Sequence, residues 1–182
     1  MQRSTRAGEG TTRRTGRERA ASKDAIALLK ADHRQVEGWF SRFKKARSDD
    51  RKGALAEKIC KALKVHTRIE EEIFYPAFLS ATEDTEKHHE AEVEHAGAKK
   101  LIADIEGMSP GAEYFDAKVK VLAEMIKHHV KEEEKPGGMF AEARKSDMDL
   151  DDIGRRLKAR KDQLESDGAA ALRDKPAGML DA

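Results

Sequence analysis

His66 and Glu70 stand four residues apart in a segment whose apolar residues recur at helical spacing, and His129 and Glu133 repeat the arrangement later in the chain. Four residues is just over one helical turn, so each pair lies on one face, one residue above the other. In the first segment that face also carries Leu55, Ile59, Ala62, Leu63, Ile73 and Ala77, so it is the face a water-soluble helix turns inward. A carboxylate buried there without a partner is strongly unfavourable, and a metal ion is one partner that would relieve it. In the second segment the stripe Phe115, Val119, Leu122, Met125 and Ile126 leads to His129. His128 and Glu132 share the spacing, but the stripe through His129 is the more apolar and selects His129 and Glu133 as the inward pair.

The remaining pattern is helical throughout. Charged residues make up 39% and aromatic ones 5%, the balance of helices that each bury one stripe. Helices are expected at about 24–46, 51–79, 83–107 and 112–134, with Pro76 loosening the end of the second. Lys135-Pro136-Gly137-Gly138 ends the fourth, a short helical piece resumes at Met139-Phe140, and a last amphipathic helix spans about 149–165 against the outside of the bundle. The expected division is a disordered basic tail over 1–22, a four-helix bundle over 23–146, a C-terminal helix packed on it over 147–166, and a flexible tail over 167–182.

Charge and cysteine usage narrow the class. The net charge of +1 argues against a chain built mainly for nucleic acid, although residues 1–23 carry seven Lys/Arg against two Glu. That tail reads as disordered rather than as a transit peptide, and weak contact with nucleic acid is the most its composition supports, since no aromatic residue interleaves the arginines. A single cysteine, Cys60, excludes an internal disulfide framework. With no long apolar run and no secretory signal pattern, the expected location is the cytoplasm and no membrane partner is expected.

Two further histidines lie on inward stripes. His33 follows Ile26 and Leu29 and precedes Val36, Phe40 and Phe43; His95 is flanked by Ala91, Ala98 and Ile102, small neighbours that leave room beside it. Each bundle helix thus brings one histidine, and two add a carboxylate one turn later. Carboxylates projecting inward from facing helices are how bundles build two-metal centres. Four imidazoles with two carboxylates favour non-haem iron, with manganese or zinc as alternatives; a structural zinc site would more often use thiolates. The expected ligands are His33, His66, Glu70, His95, His129 and Glu133. Glu92, Glu94 and His128 are candidates for an additional ligand or for a contact that supports one.

The segments LLKADHRQVEGWF (28–40), HTRIEEEIFYP (66–76), EVEHAGAKKLI (92–102) and HHVKEEE (128–134) resemble the hemerythrin-like proteins with a cation-binding HHE domain, over about 24–145. The resemblance implies an up-down-up-down antiparallel bundle holding two irons, with His33, His66, His95 and His129 as imidazole ligands and Glu70 and Glu133 bridging. It implies reaction with, or binding of, dioxygen, peroxide or nitric oxide, or sensing of iron or oxygen. Iron storage or delivery without turnover, and a metal-free interaction module, are the alternatives. One departure is notable. The classical oxygen carriers have a second histidine four residues after the first on the third helix, where this chain has Lys99. Glu92 or solvent would then complete one ion, and so open a site is expected to favour peroxide or nitric oxide chemistry over reversible oxygenation.

Overall fold

The computed structural model describes residues 24–168; the expected basic segment 1–22 and the chain beyond Gly168 lie outside the described residues. The described chain is helical, without strands. The helices are α1 (Ala25–Lys45), α2 (Asp49–Ile69), a π-helical turn (Glu70–Phe74), α3 (Tyr75–Thr82), α4 (Thr85–Glu106), α5 (Phe115–Glu134), α6 (Met139–Ala143) and α7 (Leu150–Asp167). Local chemistry sets the starts. The side chains of Asp24, Asp84 and Asp149 accept hydrogen bonds from the backbone N–H groups of Ala27, Lys87 and Asp152, satisfying donors that the first turn cannot satisfy itself. Helix α1 packs on α2, α2 on α4, α4 on α5 and α5 on α1, which closes an antiparallel four-helix bundle.

The second helix differs from the expected continuous one. The break falls not at Pro76 but just before it, at Glu70-Glu71-Glu72, where one turn widens and the Tyr75 N–H donates to the Glu70 carbonyl five residues back. Pro76 has no N–H to give the Glu72 carbonyl, and its ring would crowd that carbonyl in a regular helix; the wide turn precedes it directly. The inserted residue changes which side chains face inward. Glu70 and Phe74 are both buried, and so is Tyr75.

Two apolar clusters fill the interior. One holds Ile26, Leu29, Ile69, Phe74, Phe78, Phe140, Leu157 and Leu164. The other holds Val36, Phe43, Ile59, Leu63, Ile102, Phe115, Leu122 and Ile126. Helix α7 belongs to the first cluster as fully as any bundle helix: Leu157 and Leu164 have no exposed surface, and its charged face ties Arg160 to Glu72 and Lys161 to Asp32. At the end of α5, Gly138 lets the chain fold back sharply, since a Cβ there would stand 2.3 Å from the Glu132 carbonyl oxygen. The turn ends α5 after Glu134 without displacing Glu133, and it returns Phe140 to stack on the His33 ring, with centroids 5.8 Å apart. No described helix is long and apolar enough to cross a membrane.

Candidate metal centre

Between the two apolar clusters lies a layer of buried polar side chains, and it contains all six of the expected ligands. His33 comes from α1, His66 from α2, Glu70 from the π turn, His95 from α4, and His129 and Glu133 from α5; each is at most 5% exposed. The four imidazoles form two pairs. The Nε2 atoms of His33 and His66 are 2.9 Å apart, and those of His95 and His129 are 3.3 Å apart. The carboxylates span the pairs. Glu70 Oε1 lies 3.2 Å from His66 Nε2 and Oε2 lies 3.5 Å from His95 Nε2. Glu133 Oε2 stands 3.5 Å from His33 Nε2 and 3.6 Å from His129 Nε2.

The outer face of three of the rings is held by another carboxylate, and a fourth carboxylate stands near the outer face of His66. His33 Nδ1–H donates to Glu134 (2.8 Å), His95 Nδ1–H to Glu71 (3.1 Å) and His129 Nδ1–H to Glu94 (2.7 Å); Asp32 lies 3.6 Å from His66 Nδ1. With Nδ1–H turned outward, Nε2 is the nitrogen left to face a metal, the arrangement by which carboxylates orient metal-ligating histidines. Each Glu-Glu-Glu run therefore divides its work. Glu70 and Glu133 point inward, Glu71 and Glu134 back a histidine, and Glu72 and Glu132 pair with Arg160 and Lys135.

The electrostatics suit a cation, a place that protonated His66 and His129 take in part. Both oxygens of Glu70 and Oε2 of Glu133 are buried without a hydrogen-bond partner. Burial and the like charge of Glu70 push the Glu133 carboxyl above its ordinary range, because two carboxylates in one dry site do not both ionise unaided. Burial alone would neutralise His66, but the Glu70 and Asp32 carboxylates hold it charged up to about 10. Burial, with the neighbouring imidazoles adding to it, drives His33 the other way. Two donors bound to one ion at about 2.1 Å and a right angle are about 3 Å apart, the spacing found within each histidine pair and between His66 and Glu70. The residues therefore fit a pair of metal ions: His33, His66 and Glu70 form one tight cluster, and Glu70, His95 and His129 the other.

Glu92 takes no part in this layer. The inward stripe of α4 is Ala91, His95, Ala98, Ile102 and Ile105; Glu92 is one residue round from Ala91, is 54% exposed and faces His88. Lys99, at the position of the absent histidine, instead ion-pairs with Glu71 at 2.6 Å and so steadies the carboxylate behind His95. The space is used by a residue that sequence reasoning missed. Tyr75 places its hydroxyl 3.2 Å from His95 Nε2 and donates to Glu133 Oε1 at 3.1 Å. Its signal was hidden, because only the π turn brings residue 75 inward. Asp32, Glu71 and Glu134 were missed too, although each adjoins an expected ligand. Of the other expected candidates, Glu94 backs His129, and His128 is 60% exposed with Nε2 at 3.3 Å from Glu94. Cys60 is buried in the second apolar cluster, and burial pushes its thiol up to about 12, so it offers no thiolate. Tyr75→Phe is expected to leave Glu133 Oε1 without its donor and to destabilise the metal-free chain by about 1–3 kcal/mol, read as a lower urea midpoint at unchanged slope.

Comparison with known proteins agrees with this geometry. Residues 24–136 match the family model described as the hemerythrin HHE cation binding domain. Among solved structures, a hemerythrin HHE cation binding domain-containing protein from Mycobacterium kansasii superposes with a TM-score of 0.66 at 24% identity, covering 82% of this chain and 97% of that one. A curated protein named DNA nickase, from Nostoc sp., is 28% identical over 109 residues, which are 59% of this chain but only 30% of that protein's length. With more than half of its length matched by the family model, the chain belongs to the hemerythrin HHE cation-binding domain family.

Proposed function

We propose that this protein holds two non-haem iron ions, with manganese or zinc as possible substitutes, and that it binds or reacts with dioxygen, peroxide or nitric oxide in the cytoplasm. The observation that carries the reading is Glu70, a carboxylate with no exposed surface and no hydrogen-bond partner on either oxygen, each oxygen beside a different histidine pair. His33 and His66 would hold one ion and His95 and His129 the other, with Glu70 and Glu133 shared. A metal-free interaction module has no use for such a carboxylate, and donors for two ions do not make a store.

When bound, a ferrous pair would supply electrons to a small oxidant. The protein supplies the surroundings. Val36, Leu63, Ile126 and Val130 with the histidines line a cavity of about 10 Å³ beside the imidazoles, room for no more than a water-sized guest. Those apolar walls and the Phe140 ring over His33 keep bulk water away. Tyr75 keeps its proton, since burial and the carboxylates of Glu133 and Glu70 raise its phenol well above the ordinary value, and its hydroxyl can donate to a charged guest. A donor at that position suits proton-consuming chemistry such as peroxide reduction better than reversible oxygenation. Elemental analysis with an optical spectrum of freshly purified protein tests the reading. Two irons per chain with an oxo-bridge charge-transfer band are expected; zinc alone or no metal overturns it. A stable, reversible oxygenated form in stopped-flow spectra would overturn the preference for turnover.

A further inference from the structure

A cleft of about 40 Å³ opens between α4 and α5, with Glu90, Glu94 and Glu132 on its walls and His129 and Glu133 at its inner end. Among the described features it joins the surface to the polar layer through acidic side chains. Two of its lining residues, Glu90 and Glu94, belong with the neighbouring His128 to a second cluster of donors. Glu90, Glu94 and His128 can each bring one ligand atom to within 4.8 Å of the others, and Glu90 and His128 are exposed. Glu94 links the two levels: Oε1 lies 3.3 Å from His128 Nε2 outside, while Oε2 accepts from His129 Nδ1 inside. The inner end is not inert wall. Glu133 is 3% exposed, and its Oε2 is buried without a hydrogen-bond partner.

We propose that this cleft is the port through which divalent cations reach the buried site, with Glu90, Glu94 and His128 forming a transient docking site at its mouth. The proposal rests on the two-metal reading above. Oxygen and imidazole donors match a hydrated ferrous ion, and the mouth can exchange some of the ion's waters for carboxylate oxygens before Glu133 takes over. Size agrees: the cleft is far smaller than the roughly 300 Å³ from which organic-ligand pockets begin. Charge agrees too. Lys135 at the rim is paired with Glu132, and Lys87 with Asp84, so Glu90 and Glu94 face the opening uncompensated by lysine. The other cleft beside the site sets Lys58, Lys61 and Lys161 against Asp32 and Glu165, with Lys161 paired to Asp32, so its lining is less acidic. Ala91 on the cleft wall adds no bulk in the way.

The test is the rate of ferrous ion uptake by the full chain, stripped of metal and followed by absorbance, with final metal content measured separately. Glu90→Gln combined with His128→Asn removes two mouth donors without touching the inner ligands or Glu94. Uptake is expected to slow roughly tenfold, within the range that focused surface charge produces, at unchanged final stoichiometry and unchanged melting temperature. Glu113→Gln, a single exposed charge removed elsewhere, should load at the wild-type rate. Equal rates in wild type and double variant, with two metals in each, overturn the port alone, and so does equal slowing by Glu113→Gln. A wild-type chain that takes up no metal overturns the two-metal reading and the port with it.

Discussion

Glu70→Ala is expected to remove stoichiometric metal binding and, with it, the stability that metal gives the parent. The two halves of this result have one cause. With metal, Glu70 serves both histidine pairs, so its loss removes a donor from each ion at once. Without metal, it is a buried carboxylate that faces Glu133 across the layer but is held ionised by the His66 imidazole beside it. Deleting it relieves repulsion with Glu133 but strips His66 of its counter-charge, so the metal-free chain gains no stability from the change. The parent should gain stability from metal by mass action, about 4 kcal/mol when free metal exceeds Kd a thousandfold. In a chain of this size that is a rise in Tm of roughly 10 °C. The variant should show none of this rise. Thermal melts with and without ferrous ion, alongside metal analysis, check both halves. Glu92→Ala is the matched control and should bind metal as the parent does, because Glu92 lies outside the layer. A Glu70→Ala chain that retains two ions would remove Glu70 from the bridging role.

The second large effect is expected far from the metal. Leu157→Ala with Leu164→Ala should abolish cooperative folding at 37 °C. Both leucines lie on α7, have no exposed surface and share one cluster with Ile26, Leu29, Ile69 and Phe74. A buried Leu→Ala change costs about 2–5 kcal/mol through lost transfer energy and the residual cavity. Two such changes in one cluster approach the total stability of roughly 5–15 kcal/mol that a domain possesses. Lys158→Ala, on the exposed face of the same helix, should change stability by no more than about 0.5 kcal/mol. Circular dichroism melts of the three chains separate these outcomes. The point has weight because the family match ends at residue 136, before α6 and α7 begin. In this chain the site's upper cover is built by residues beyond the matched segment, Phe140 and Leu157 among them.

How much of this was legible in the sequence depended on periodicity. The stripes through His33, His66, His95 and His129 run along regular helix, so counting by three and four brought the right side chains to one layer. The same counting chose His129 over His128 correctly. It failed where the helix is not regular. One widened turn at Glu70–Phe74 carries Tyr75 inward, and no rule of 3.6 residues per turn anticipates that. The outer carboxylates failed for another reason. Glu71 and Glu134 look like members of solvated acidic runs, and only the bundle shows that each meets a histidine from a different helix. Glu92 lies outside the layer for the opposite reason: it satisfied a spacing but stands 100° round the helix from Ala91 on the inward stripe, beside His88.

The polar layer that separates the two apolar clusters also bears on how the molecule opens. Cooperative unfolding requires that the parts of a core stabilise one another. Here the upper cluster, with α3, α6 and α7, and the lower cluster, around Phe43, Ile59 and Phe115, are joined across a seam of imidazoles and carboxylates. Ions seated in that seam would rivet the two halves into a single unfolding unit. Stripped of them, the two halves stay coupled only by the helices that cross the layer, as α1 does from Leu29 to Val36. Metal loading should then sharpen the unfolding transition as well as raise its midpoint.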